Sequence, residues 1–431
     1  MSLHDQIQQE QKSVSPDGLA DSLVRVNGLS YRMPSNMSVV VSRNMKRSQA
    51  NLDSYGPDGK IIITWNSGSE YVNGMNSYLT FDAAMDVATS TGELGSGSGV
   101  NFIESVIVNS IQGTEVDRTE GVNVYRRDVD RYQLSQDWIN NAGSVMGYKS
   151  TQSDPDSPAT LLLNPTNIVT TTPQRYCIPL SKICGLCNTS VLLPSMLSGG
   201  LRFEIKLTSL ATAVKAGIHD PVAVPTKFIL TNVNMMLDSY QLADSIQKRL
   251  MQESAASGLE FFYETWDKTR HNINASNKAN ITVRKAVSRA LGAHCKTRIT
   301  TDMDDLTKDS MASEPNKVAS MFWRLGSLNF PNSRLTSKVE QYYYAQYAMG
   351  KFLHPHQSNS ISLLDFQGDE GIVAVTLERS SVLSLSGLPV NNSRTLQLEL
   401  DYDTSASRSQ DCFINYLQLA RVFPNNVLVK E

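Results

Sequence analysis

Residues 394–403 read RTLQLELDYD. Leu396, Leu398, Leu400 and Tyr402 fall on one side of this stretch, and Gln397, Glu399 and Asp401 on the other. A period of two is the mark of a strand with one buried and one wet face. Earlier in the chain LRFEIKL repeats the pattern: Leu201, Phe203, Ile205 and Leu207 alternate with Arg202, Glu204 and Lys206.

The surroundings repeat as well. A glycine turn precedes each alternating strand (Gly199 and Gly200; LSGLPVNNSR), and a polar loop follows it (ATAVKAGIHDPVAVPT; DTSASRSQD). A long strand then comes in each case, KFILTNVNMML or CFINYLQLARVF. Leu396 lies 195 residues after Leu201. That spacing is far above a solenoid period of roughly 20 to 50 residues and fits a duplicated domain.

Between the copies, YQLADSIQKRLMQESAAS places Leu242, Ile246 and Leu250 on one helical face, a short junction helix. The expected organisation is therefore an arm over 1–58, a first β domain over 59–240 and a second over 241–431. The class is all-β: two tandem antiparallel sandwiches with short helices in the connections. KIIITW, NSYLTFDAAMDV, NFIESVIVNSI, LEFFYETW, NITVRKAVS and VASMFWRLGSLNFP supply further strands. A helix on a sheet edge is expected where Tyr125, Val129 and Tyr132 recur at i, i+4 and i+7. Its charged run RRDVDR (126–131) reads as a solvated face, because the two Asp residues cancel much of the basic charge.

The 431 residues carry only 19% charged side chains and a net charge of −3. No global field attracts nucleic acid or an anionic membrane, so strong direct nucleic-acid binding is not expected. Lys12, Arg25 and Arg32 are offset by Asp5, Glu10, Asp17 and Asp21, so the first segment is not a basic arm. No signal-peptide pattern opens the chain, and the expectation is a protein made inside the cell and not secreted. Asn-x-Ser/Thr triplets at Asn188 and Asn280 are then chance matches.

Chemistry-bearing motifs are sparse. Five cysteines, an odd number, argue against a disulfide framework. Cys184 and Cys187 form a CxxC without the second pair that zinc needs, and read as structural thiols. His354 and His356 flank a proline in a loop, and Asp302, Asp304 and Asp305 lack the glycine and terminal glutamate of a calcium loop. STGELGSGSG (90–99) lacks the Lys-Ser/Thr ending of a phosphate loop. Tyr342, Tyr343, Tyr344 and Tyr347 sit without a basic surround, which suits core or interface packing better than base stacking. No catalytic, cofactor-binding or metal-ligating residue is assigned, and no enzyme is expected.

From about residue 60 onward, the order of segments resembles a known family. NSYLTFDAAMD, FIESVIVNSIQGTEVDR and YCIPLSKICGLCNTSVLLPSMLSGGLRFEIKL in the first half, with WRLGSLNFP, the Tyr-rich segment and LSGLPVNNSR in the second, are similar to double jelly-roll major capsid proteins of icosahedral DNA viruses. The polinton-like, adintovirus and virophage types are the nearest in texture. The resemblance implies a homotrimer of two-roll subunits, a pseudo-hexagonal capsomer that tiles an icosahedral shell in the virion, without turnover or cofactor. Neighbouring capsomers would be its partners, with penton and minor capsid proteins as further candidates, and the arm over 1–58 would make contacts beneath the shell.

Two other readings compete. A single jelly-roll coat protein of a small single-stranded genome virus would carry an Arg-rich arm and bind in a salt-dependent way. A β-sandwich carbohydrate-binding protein would gather aromatics and carboxylates on one concave face.

Overall fold

The computed structural model describes residues 39–66, 68–86, 92–149, 168–189, 193, 199–216, 225–314, 317–350, 360–379, 387–423 and 426–430. Most of the expected arm and the pair His354 and His356 lie outside these residues.

The first half contributes twelve strands: β1 (Val40–Gln49), β2 (Ser54–Tyr55), β3 (Lys60–Asn66), β4 (Tyr71–Met85), β5 (Gly92–Glu93), β6 (Ile103–Ser110), β7 (Glu115–Glu120), β8 (Ile168–Val169), β9 (Gln174–Pro179), β10 (Gly200–Leu207), β11 (Lys215–Ala216) and β12 (Phe228–Leu242). The second half contributes β13 (Leu259–Val283), β14 (Val287–Ile299), β15 (Val318–Leu325), β16 (Leu328–Leu335), β17 (Val373–Thr376), β18 (Leu388–Val390), β19 (Leu396–Phe423) and β20 (Asn426–Lys430). Three helices matter below: α1 (Val122–Gln133), α2 (Asp244–Ala256) and α3 (Lys338–Ala348).

In the first half one sheet runs β1-β12-β4-β9, with β2 paired to β12, and a second runs β3-β10-β6-β7. All these pairings are antiparallel. Leu201, Phe203, Ile205 and Leu207 of β10 point inward as the alternation demands, opposite Ile61, Ile63 and Trp65 of β3. Phe102 packs edge-on against Phe81 and Phe228 across the sandwich, with ring centroids 5.8 and 5.0 Å apart.

The second half repeats this order through longer strands. The first part of β13 pairs with the second part of β19, which pairs with β14 and through it β17. The second part of β13 pairs with the first part of β19, then β15 and β16. Two strands thus pass from one sheet to the other at a corner, where the β13–β19 register shifts between Ile273 and Lys278. Leu396, Leu398, Leu400 and Tyr402 line the second core with Trp323, Ile281 and Ile414. The all-β expectation of two tandem rolls is borne out.

The polar stretch 403–411, expected as a loop, is instead the continuation of β19. Asp403, Thr404 and Ser405 are exposed and lie at the register shift, while Ala406 and 408–411 pair with β13, so backbone pairing makes strand of a polar sequence. LEFFYETW and the NITV of NITVRKAVS form one strand, β13, while the final VS of that segment begins β14. The junction helix is present as α2, where Ser254 donates from its hydroxyl to the Val422 carbonyl at 3.0 Å.

The alternation on β10 gives a direct contrast. Phe203→Ala removes a buried ring and is expected to cost about 3–5 kcal/mol. Arg202→Ala, on the wet face where Arg202 pairs with Glu204 at 3.0 Å, is expected to cost less than about 1 kcal/mol. Urea unfolding of the two variants measures both.

Candidate functional site

The most heavily charged buried region lies where α1 leaves the first roll and covers the second. Gly121 precedes α1 with φ +61°, a conformation that glycine adopts freely. A Cβ there would sit 2.5 Å from Lys268 Cδ of β13, so a side chain would push the helix off its seat.

The sheet beneath α1 is buried on both faces. Along β14, Ala293 and Cys295 enter the core of the second roll while His294, Lys296 and Arg298 point the other way, toward α1. On β19, Cys412 and Ile414 point inward while Asp411 and Phe413 face outward. A one-sided sheet would hold such charges in water; α1 removes them from it.

Ion pairs answer most of these buried charges. Lys296 donates to Asp128 at 2.5 Å. Arg127 donates to Asp309 at 2.8 Å and to Glu370 at 2.9 Å. Lys182 and the Tyr148 hydroxyl both donate to Asp130, each at 2.6 Å. Arg270 donates to Asp411 at 2.8 Å, Arg298 pairs with the same carboxylate, and Lys268 lies 3.3 Å from it. Arg127, Asp128, Lys296 and Asp411 are at most 2% exposed.

Aromatic packing fixes the angle of the helix. Tyr125 stacks on Trp266 of β13 with centroids 4.1 Å apart, and Arg126 lies over both rings. The Tyr125 hydroxyl accepts from Asn415 of β19 at 2.8 Å, and the Tyr132 hydroxyl donates to the Glu370 carbonyl at 3.1 Å. Residues of α1 thereby touch several segments of the second roll.

Beside α1, strand β7 is the outer strand of its sheet and would leave open backbone groups. Side chains of β13 cover them: Tyr263 donates to the Val116 carbonyl at 2.5 Å, and Trp266 Nε1 to the Glu120 carbonyl at 3.1 Å. Asp117 accepts from Thr265 at 2.8 Å, from Leu186 N–H at 2.9 Å and from the Cys184 thiol at 3.2 Å. Burial pushes the Asp117 carboxyl above its ordinary range despite these donors.

Electrostatics follow from this geometry. Burial pushes the Glu370 carboxyl up, but the Arg127, Lys296 and Arg131 charges outweigh it and hold the group down at about 2. Burial also opposes ionisation of Asp411, and Arg298, Lys268 and Arg270 prevail, keeping it well below the usual carboxylate range. Burial, aided by Lys296, pushes the His294 imidazole down to about 3, so it is neutral. Burial raises Asp128 more than Lys296 lowers it.

The run RRDVDR is therefore not a solvated face: Arg126, Arg127, Asp128 and Asp130 are buried against the second roll and the CxxC loop. The reason is that the partner sheet presents matching charges on a face that sequence periodicity assigns to water. Asp309, four residues after Asp305, is drawn into the same network, while Asp305 caps Thr307. Cys184 and Cys187 are buried, and Gly185 between them lets the loop lie on β13, where a Cβ would meet the Glu264 carbonyl at 2.5 Å. Tyr342 of α3 donates to the Ile361 carbonyl at 2.7 Å and packs on Phe366. Among the described residues no three metal-binding side chains cluster.

His294, Lys296, Arg298, Glu370 and Asp411 escaped the sequence reading. The available signal was GAHCKTRI, which alternates yet carries a base at successive outward positions. Lys296 stands opposite Asp411 in the β14–β19 register, a pairing that sequence alone does not reveal.

No protein-family model matches the chain, and no curated protein does. Among solved structures it is similar to the capsid of the virus PBCV-1, at TM-score 0.64 and 10% identity, over 93% of this chain and 99% of that one. It is likewise similar to the Faustovirus major capsid protein, at 0.60 and 7%, over 98% and 99%. The mavirus major capsid protein matches at 0.53 and 10%, over 93% and 92%. The shared feature is the double jelly-roll fold, already evident in the repeated strand order.

Two outcomes follow from the buried charges. Arg127→Leu leaves Asp309 and Glu370 unpaired and is expected to cost about 3–5 kcal/mol, with Glu370→Leu in the same chain recovering part of it, measured by urea unfolding. For pH, a histidine held from its ordinary 6.5 down to about 3 stabilises the fold fully above pH 6.5 and loses that contribution as pH falls toward 3. Glu370 adds a second loss as pH falls from about 4.5 toward 2, and Asp128, being raised, acts with the opposite sign. Between pH 6.5 and 4.5, His294→Gln is expected to flatten the stability slope by roughly 1 kcal/mol per pH unit.

Proposed function

We propose that this chain is the major capsid protein of an icosahedral DNA virus, and that three copies close into a pseudo-hexagonal capsomer that tiles the shell. The observation that carries the reading is the repeated strand order of two rolls locked side by side by α1. One subunit then presents two similar lateral blocks, and three subunits present six. The solved structures of the same fold are named as capsids or major capsid proteins.

The surface supports self-association. Strand β1 ends one sheet of the first roll and exposes Val41 and Met45, while β16 ends a sheet of the second and exposes Leu328. Open strand edges with apolar side chains invite pairing unless something covers them, and a closed threefold ring covers lateral edges. Obligate contacts of this kind bury about 2,000–5,000 Å².

In this reading the first roll takes in β1 and β2, so it begins near residue 40 and not at 59, and it ends with β12 at Leu242; the second roll follows, and the part of the 1–58 arm that precedes β1 reaches beneath the shell. Neighbouring capsomers are the principal partners, penton and minor capsid proteins are further ones, and the place of work is the virion. The role is assembly without turnover. The single-roll coat reading fails against the second roll.

Size exclusion with light scattering at low and high salt tests the proposal. The expected species is a salt-resistant assembly of three 47.6 kDa chains. A monomer at both salts overturns it, as does a particle that carries nucleic acid and dissociates with salt.

A further inference from the structure

Cys295 of β14 and Cys412 of β19 stand directly opposite each other in antiparallel register. Directly opposed residues of such a pair have Cα atoms about 4.5–5.5 Å apart, within the range that a disulfide spans. Both side chains point into the core of the second roll, both are free thiols, and their sulfurs are in contact at 2.8 Å. The Cys412 thiol donates to Cys295 Sγ, and the Cys295 thiol itself donates only to the Gln410 side chain, at a long 3.4 Å.

We infer that Cys295 and Cys412 are an oxidation site, at which a small-molecule disulfide such as oxidised glutathione converts the opposed thiols into a cross-strand bond that locks β14 to β19.

The exchange balances in two steps. One cysteine thiolate attacks the small disulfide, forming a mixed disulfide and expelling one small thiolate, which takes up the proton that the cysteine lost. The second cysteine attacks the protein sulfur of the mixed disulfide, expelling the other small thiolate, protonated in the same way. The two cysteines are oxidised and the small disulfide is reduced to two thiols.

Burial pushes the Cys295 thiol far above its ordinary range, so the closed fold resists the first step. Exchange proceeds through opening of the strand pair, which makes the site slow in a reducing cytosol and effectively one-way once the chain meets an oxidising medium. The bond closes a segment 117 residues apart in sequence, a constraint on the unfolded chain. The CxxC pair is a poorer candidate, because the Cys184 thiol is a donor to buried Asp117 and its oxidation removes that donor. The inference is independent of the capsid reading.

The test incubates the full chain with oxidised glutathione, in buffer and in sub-denaturing urea, then blocks free thiols and maps tryptic peptides without reduction. The expected product links peptide 290–296 to peptide 409–421 in at least the urea arm. That link persists in Cys184→Ser, disappears in Cys412→Ser, and raises the thermal midpoint by several degrees until reductant is added. Blocked Cys295 and Cys412 in both arms, or a Cys184–Cys187 bond as the sole product, overturns the inference.

Discussion

The contact between the charged face of α1 and the outer face of β14 and β19 is what makes two sandwiches one body. Alternation fills the core of the second roll, and the core of the first runs on into Phe261, Tyr263, Trp266 and Phe413 of the second. Lys296 of the second roll and Arg127 and Asp128 of the first are paired across the contact, whereas Asp411 is answered within the second roll by Arg298, Arg270 and Lys268. Bringing the faces together replaces water with matched ions, and only one relative placement matches them all.

Buried ion pairs are a weak source of net stability, since desolvation offsets most of the attraction, but removing one partner is costly. The network therefore acts chiefly on geometry. The apolar anchor is the Tyr125–Trp266 stack under Arg126, and the polar pairs set direction around it. The edge of β7, covered by Tyr263 and Trp266, uses the same surface to close a sheet that would otherwise stay open. The two halves are thereby coupled through buried contacts as well as through the connecting helix.

Much of the architecture was legible. Alternation in LRFEIKL and LQLELDY identified two equivalent strands, and their spacing identified a duplication, because period and order depend only on which side chains face the core. The junction helix was legible for the same reason. What escaped depends on contacts between distant segments. Residues 403–411 look like a loop because their side chains are polar, yet the backbone of β13 pairs with Ala406 and with 408–411. The run RRDVDR looks solvated because its partners, Lys296, Asp309 and Glu370, lie 168 to 243 residues away.

The central claim is that α1 binds both rolls into a single cooperative unit, and native-state amide hydrogen exchange along the full chain tests it most directly. The account predicts that the amides of Tyr125–Tyr132 are protected as strongly as those of β10 and β14, and that all three lose protection together under destabilising conditions. Exchange of α1 ahead of both rolls, or separate opening of the two rolls, would contradict it.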